Sequence, residues 1–130
     1  MLNTRILVVD DHGSLRKSVA DFLRKQEGIE AVEEASNGAE ALKRLSEGRF
    51  DILVTDLVMP MMDGYTLLEE MRRLQISPMP KTIITSALGR DDFVVRAVEL
   101  GAMFYMVKPF EVEHLLGHIQ EITGNSSAAL

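Results

Sequence analysis

Asp51-Ile52-Leu53-Val54-Thr55-Asp56-Leu57-Val58-Met59-Pro60-Met61-Met62-Asp63-Gly64 is the stretch that decides the fold of this chain. An apolar run ends abruptly in an aspartate, and a loop punctuated by Pro60 and Gly64 then leads into a helical pattern. A short run of this kind, bounded by turn signals, predicts a strand buried on both faces. Asp56 stands where that strand emerges. In an open parallel α/β sheet, ligands collect in the crevice beyond the carboxyl ends of the strands, so a carboxylate there has a chemical reading.

On either side of this stretch, apolar runs alternate with helical patterns. Upstream, residues 5–10 read as a strand, followed by a helix over about 14–26 with Leu15, Val19, Phe22 and Leu23 on one face. Residues 30–35 form a weaker strand, and Glu30, Glu33 and Glu34 place it at an exposed sheet edge that discourages strand addition. Asn37 and Glu40 resemble a capping box opening a helix through Ala41, Leu42 and Leu45. Downstream, Asp63 caps a third helix marked by Tyr65, Leu68 and Met71, which ends before Pro78 and Pro80. Residues 81–86 are the fourth strand. Gly89 and Asp91-Asp92 open a fourth helix carrying Val94, Val95 and Val98, closed by Gly101. Residues 102–107 are the fifth strand, and Val112, Leu115, Leu116, Ile119 and Ile122 form the stripe of the last helix.

Strand and helix alternating five times through short links predict a three-layer (βα)₅ sandwich with right-handed crossovers. The flavodoxin-like order 2-1-3-4-5 for a parallel five-stranded sheet fits, because the polar second strand suits an edge and the first and third suit the centre. Residues 1–123 are read as one domain and residues 124–130 as a tail or linker stub. The pattern Asn125-Ser126-Ser127 matches a glycosylation acceptor by chance.

The bulk properties narrow the function. At 130 residues the chain can bury a core without staples, and with no cysteine it has neither a disulfide framework nor a thiolate site. No run approaches a membrane span or a signal peptide, so a cytoplasmic location is the expectation. A net charge of −6 with scattered basic residues argues against direct nucleic-acid binding, which needs cations to neutralise phosphates. NTPase and dinucleotide readings fail for want of a P-loop or G-x-G-x-x-G.

In the expected topology the ends of strands 1, 3, 4 and 5 carry Asp10-Asp11, Asp56, Ser86 and Lys108 into one crevice. Two unit charges about 4 Å apart interact by roughly 4 kcal/mol at an effective dielectric near 20, so clustered carboxylates call for a counter-ion. Mg²⁺ suits one or two carboxylates plus carbonyl and water oxygens, with Mn²⁺ or Ca²⁺ as substitutes. Asp11 and Asp56 are expected to hold it directly, Asp10 through water, and the Val58 carbonyl to add a further oxygen. Such a cluster can accept a phosphoryl group: Asp56 as nucleophile, Lys108 and the metal stabilising charge, and Ser86 donating to a phosphate oxygen.

Val8-Val9-Asp10-Asp11, Asp56-Leu57-Val58-Met59-Pro60-Met61-Met62-Asp63-Gly64, Ser86-Ala87 and Lys108-Pro109-Phe110 together resemble the motif set of the response-regulator receiver domain of two-component signalling, from about Arg5 to Thr123. The resemblance implies transfer from a phosphohistidine, on a histidine kinase or histidine phosphotransferase, to Asp56. It also implies a cis Lys108–Pro109 bond, Ser86 at the Thr/Ser switch position and Tyr105 at the aromatic one. The protein would be a phosphoacceptor switch, catalysing only its own phosphorylation and slow dephosphorylation. Its output surface would be the fourth helix, fifth strand and last helix, dimerising on phosphorylation.

More narrowly, Ser86-Ala87-Leu88-Gly89-Arg90-Asp91-Asp92 and Gly101-Ala102, with Lys108-Pro109-Phe110 and Leu116-Gly117-His118-Ile119, are similar to the receiver of the sporulation master transcription factor of endospore-forming bacteria. That resemblance implies a phosphorelay donor and a following DNA-binding effector, so the chain would be either a receiver cut near Gly124 or a single-domain phosphate shuttle. A phosphorylation-independent interaction module is the rival binding role. A haloacid-dehalogenase-like phosphatase is the rival enzyme, but Asp10-Asp11-His12 lacks its second acid two residues after the nucleophile. His12 follows the acid pair and could touch the site mouth, but reads first as a surface first-turn residue; His114 and His118 read as a solvated helix face, and the methionines as core and loop filler.

Overall fold

The computed structural model describes residues 3–124, so the glycosylation-like pattern at 125–127 lies outside the described residues. Strands and helices alternate strictly: β1 (Thr4–Val9), α1 (Gly13–Arg24), β2 (Ile29–Ala35), α2 (Gly38–Glu47), β3 (Ile52–Asp56), α3 (Gly64–Arg73), β4 (Lys81–Ser86), α4 (Asp91–Glu99), β5 (Ala102–Val107) and α5 (Val112–Thr123). The strands pair in parallel as one sheet of order β2-β1-β3-β4-β5, the flavodoxin-like topology expected from the alternation. No helix among the described residues is long and apolar enough to cross a membrane.

Every residue of β3 is buried, as its unbroken apolar run requires of a central parallel strand. Side chains alternate across the pleat, so successive residues feed two separate cores. Ile52 and Val54 join Ile6, Val8 and Ile83 beneath α1 and α5, packing on Val19, Leu23, Leu115 and Ile119. Leu53 joins Leu7, Val9 and Ile84 on the other face, beneath Ala41 and Leu45 of α2 and Leu67, Leu68 and Met71 of α3.

Local signals behave largely as the residues dictate. The Asn37 side chain accepts from the Glu40 amide at 2.8 Å, but the Glu40 carboxylate reaches back to the Ser36 amide at 2.6 Å and the Ser36 hydroxyl at 3.1 Å. The reciprocal half of the capping box therefore closes one residue earlier than expected. The Asp63 carboxylate caps α3 by accepting from the Thr66 amide at 2.8 Å. The glutamates of β2 do lie at the sheet edge, yet they are paired: Glu30 with Arg5, Glu33 with Arg44 and Glu34 with Arg16, each at 3.0 Å. Exposed pairs of this kind contribute little each. Their effect is to neutralise the edge.

Two expectations about faces need correction, and α4 shows a face that helical spacing left open. Val95 and Val98 of α4 are 54% and 55% exposed, and the helix buries only Ala97, so these valines line a surface. Helical spacing marks a stripe without saying which side the sheet lies on. Leu15, grouped with the same face of α1, is 40% exposed, and the helix meets the core further along, through Val19, Ala20, Leu23 and the partly buried Phe22. His118 is not merely solvated: its ring stacks on Phe104 of β5 with centroids 4.0 Å apart. The Lys108–Pro109 bond is cis, as the resemblance implied, and Ser77–Pro78 is also cis.

These placements give a stability contrast. Leu53→Ala should lower the unfolding free energy by about 2–5 kcal/mol through lost burial and a residual cavity, whereas Val98→Ala should stay within about 0.5 kcal/mol. Urea denaturation followed by circular dichroism measures both.

Candidate functional site

Strand register brings the candidate residues level. Val9 pairs with Thr55, Asp56 with Thr85, and Ser86 with Val107, so Asp10 and Lys108 are the first residues beyond β1 and β5 at the edge where Asp56 ends β3. The Lys108 amide donates to the Ser86 carbonyl at 2.7 Å, which carries the fifth strand's alignment one residue past its end. Gly64 shapes the loop that follows Asp56. Its amide donates to the Leu57 carbonyl at 2.7 Å, and a Cβ there would stand 2.9 Å from the Asp56 carbonyl oxygen. Only glycine permits that fold-back.

The Lys108 amine donates to Asp10 Oδ2 at 2.9 Å and to Asp56 Oδ2 at 3.1 Å. Both carboxylates are buried, whereas Asp11 is exposed at the mouth. Potential ligand atoms of Asp10, Asp11, His12 and Asp56 all lie within 4.8 Å of one another. His12 therefore belongs to the mouth of the cluster although its side chain is exposed: its amide donates to Asp10 Oδ1 at 2.8 Å and its Nδ1 lies 3.2 Å from the same oxygen. The backbone at His12 folds back over the acid pair, the less favoured of the two readings its place after Asp10-Asp11 allowed.

Three carboxylates and one ammonium leave a formal charge of −2, which one divalent cation would balance. The carboxylate donors are hard oxygens of the kind Mg²⁺ takes, so the residues fit the ion the sequence called for. Burial raises the Asp56 carboxyl above the ordinary aspartate value; Lys108 opposes that rise, Asp10 adds to it, and the Val58 backbone amide draws it slightly down. Burial alone would depress the Lys108 amine, but its hydrogen bonds and its attraction to Asp10 and Asp56 outweigh that and hold it above the ordinary lysine value. Lys108 is thus a fixed cation at neutral pH.

The two buried carboxylates are not equivalent. Asp10 uses Oδ1 for His12 and Oδ2 for Lys108. Asp56 commits Oδ2 to Lys108, and its Oδ1 takes no side-chain hydrogen bond among the described residues. Asp56 is therefore the carboxylate less engaged by side chains, its remaining contact being the Val58 backbone amide. Ser86 is fully buried at the end of β4, and its Oγ accepts from the Leu88 amide at 3.0 Å. The Tyr105 hydroxyl donates to the Leu88 carbonyl. One residue of the β4–α4 loop thus ties the two predicted switch positions together. Val58 exposes its side chain beside this crevice.

Arg16 was missed at the sequence level. Its Nη1 donates to the Asp10 carbonyl at 2.7 Å while its Nε holds Glu34 at 3.0 Å, bracing the acid pair against β2. On the helical wheel it is one more surface arginine, and only the tertiary fold gives it a carbonyl to hold.

A family model described as the response regulator receiver domain matches residues 6–120. The chain belongs to the response-regulator receiver family. The receiver is 39% identical over 117 residues to the chemotaxis protein CheY of Bacillus subtilis, covering 90% of this chain and 95% of that protein. Its fold is similar to the receiver domain of Francisella response regulator 1452, with a TM-score of 0.85 and 28% identity over 94% of this chain and 98% of that one. A CheY-like receiver from Methanospirillum hungatei superposes with a TM-score of 0.84 and 30% identity, covering 95% and 96% of the two chains. Receivers serve two-component signalling, bind Mg²⁺ at an acidic pocket and interact with histidine kinases or phosphotransferases.

The perturbed carboxyl has a measurable consequence. A carboxyl whose folded-state pKa is raised binds more protons folded than unfolded, so it weakens the fold as pH rises from 3.8 through the raised value. In metal-free buffer at neutral pH, Asp56→Asn should therefore melt at a higher temperature than the parent. The difference should shrink as pH falls toward 3.8, the ordinary aspartate value. Thermal melts across that range check it.

Proposed function

We propose that this receiver is a phosphoacceptor switch in which Asp56 takes a phosphoryl group from a phosphohistidine. The observation that carries the reading is the amine of Lys108 bonded to Asp10 and Asp56 together, with the second Asp56 oxygen free of side-chain partners. An Asp56 oxygen attacks phosphorus; the new O–P bond forms as the P–N bond breaks, and the electron pair returns to the imidazole, which takes up a proton. Asp10, Asp11 and Asp56, with the Val58 carbonyl, would hold Mg²⁺, which when bound neutralises charge on the transferring group. Lys108 supplies fixed positive charge on the same side. The only chemistry catalysed is the protein's own phosphorylation and slow dephosphorylation.

Phosphorylation then competes for the groups around Leu88. Ser86, whose oxygen already accepts from the Leu88 amide, turns its hydroxyl proton to a phosphoryl oxygen, and Tyr105 follows the loop. Moving the population from mostly inactive to mostly active requires a preference of about 5.5 kcal/mol for the active form. The exposed Val95, Val98, Met103 and Val107 on α4 and β5 form the output face, for dimerisation or for contact with an effector. The partner would be a cytoplasmic histidine kinase or histidine phosphotransferase.

The narrower sporulation lineage, with its phosphorelay donor and DNA-binding effector, rests on the motif residues at 86–92, 101–102, 108–110 and 116–119. The curated relative reported above is a chemotaxis protein. Preferential phosphorylation by a phosphorelay phosphotransferase over a chemotaxis kinase would support the sporulation lineage, and the reverse preference would remove it.

Intact mass after treatment with phosphoramidate and Mg²⁺ tests the main assignment. The parent should gain one phosphate and Asp56→Asn none; the same gain in both would refute it. Val58 and Leu88, two residues beyond Asp56 and Ser86, carry no group able to orient an attacking water, so the acyl phosphate should be long-lived. Val58→Asn should shorten its lifetime, measured as decay of the phosphorylated mass, and an unchanged lifetime would contradict that role.

A further inference from the structure

α4 is thinly anchored: Ala97 is its one fully buried side chain, and Val95 and Val98 face solvent. Beyond the partial packing of Phe93 on the core, something further must hold its first turn. The buried Tyr65 of α3 does so from the side. Its hydroxyl donates to the Phe93 carbonyl at 2.9 Å, and the Arg96 guanidinium lies over its ring at 4.4 Å. Tyr65 therefore grips α4 at two places one turn apart. Burial lifts the phenol above the ordinary tyrosine range, so the hydroxyl keeps its proton and remains a donor.

The position of Tyr65 in the chain matters as much as its contacts. It follows Gly64 directly, at the end of the loop that begins at Asp56, and that loop is pinned by the Gly64–Leu57 hydrogen bond and the Asp63 cap. Phe93 lies in the first turn after the loop that begins at Ser86. One side chain thus links the segment leaving the phosphoacceptor to the segment leaving the switch serine.

We propose that Tyr65 is a positioning residue of the switch, its hydroxyl holding α4 in the placement seen here through the Phe93 carbonyl. This rests on the phosphoacceptor reading, in which the β4–α4 loop shifts when Asp56 is phosphorylated. Release of the hydroxyl frees α4 to leave this placement and raises the fraction of molecules in the reactive form. A hydrogen bond of ordinary net strength changes such an equilibrium by about five-fold.

The test compares the parent, Tyr65→Phe and Arg96→Gln. Tyr65→Phe keeps the ring and its packing while removing the donor, and Arg96→Gln alters only the exposed end of the grip. Two readouts are taken: amide exchange across 91–99 in untreated protein, and the rate of phosphate gain from phosphoramidate and Mg²⁺ by intact mass. Tyr65→Phe should speed exchange in α4 by about five-fold, leave the central strands unchanged, and raise the phosphorylation rate by up to that factor. Arg96→Gln should move both in the same direction by less. A purely structural role would lower the melting temperature without raising the rate of phosphorylation. Unchanged or slower phosphorylation of Tyr65→Phe, with a parent that still gains phosphate, would overturn the role of Tyr65 alone. A parent that gains none would overturn the phosphoacceptor reading along with it.

Discussion

Lys108 holds two buried carboxylates at once, 2.9 Å from Asp10 and 3.1 Å from Asp56. Those residues are 98 and 52 positions away in the chain, so the ion triad exists only if three parallel strands finish level with one another. The apolar cores on both faces of the sheet supply that alignment. Removing either acid's cation would leave charge buried without compensation, a far larger penalty than an exposed pair could produce. The sheet therefore holds a charge arrangement that the triad alone could not stabilise, and with Asp11 at the mouth it is still formally short of two positive charges. That deficit makes the crevice receptive to a divalent cation.

The same molecule is built unevenly around this point. β3 is buried along its whole length, and α3 packs Leu67, Leu68 and Met71 into the core. By contrast α4 rests on one buried alanine and the partly buried Phe93, with polar ties at its entry through the Leu88 and Phe93 carbonyls. A rigid sheet that fixes the chemistry and a lightly held helix that can report it are complementary requirements. Core strands do not shift without loss of packing, whereas a helix held by a few hydrogen bonds can exchange them at modest cost. The surface left by the exposed valines belongs to the part most able to move.

Much of this was legible before any coordinates. The site residues end apolar runs, and a parallel sheet must gather strand ends, so Asp10, Asp11, Asp56, Ser86 and Lys108 could be placed together from spacing alone. The capping signals of α2 and α3 were equally readable because they are local. What escaped was either a matter of facing or of distant contacts. Val95 and Val98 of α4 obey helical periodicity yet point outward, and no periodicity tells a core stripe from an interface stripe. Arg16 finds the Asp10 carbonyl, Tyr65 finds the Phe93 carbonyl 28 residues away, and His118 finds Phe104 only after the layers have assembled. His12 reaches the acid pair through the turn of its own backbone, which its place after Asp10-Asp11 allowed but did not decide.

Phosphoacceptor chemistry at this site requires Asp56, and not its buried neighbour Asp10, to be the carboxylate that reacts. An acyl phosphate is reduced by borohydride to an alcohol, converting the aspartate that carried it to homoserine. Peptide mapping of the phosphodonor-treated protein after borohydride reduction should therefore find homoserine at position 56 alone. Homoserine at position 10 or 11, or at none of the three, would contradict the arrangement of charge and hydrogen bonding described for this site.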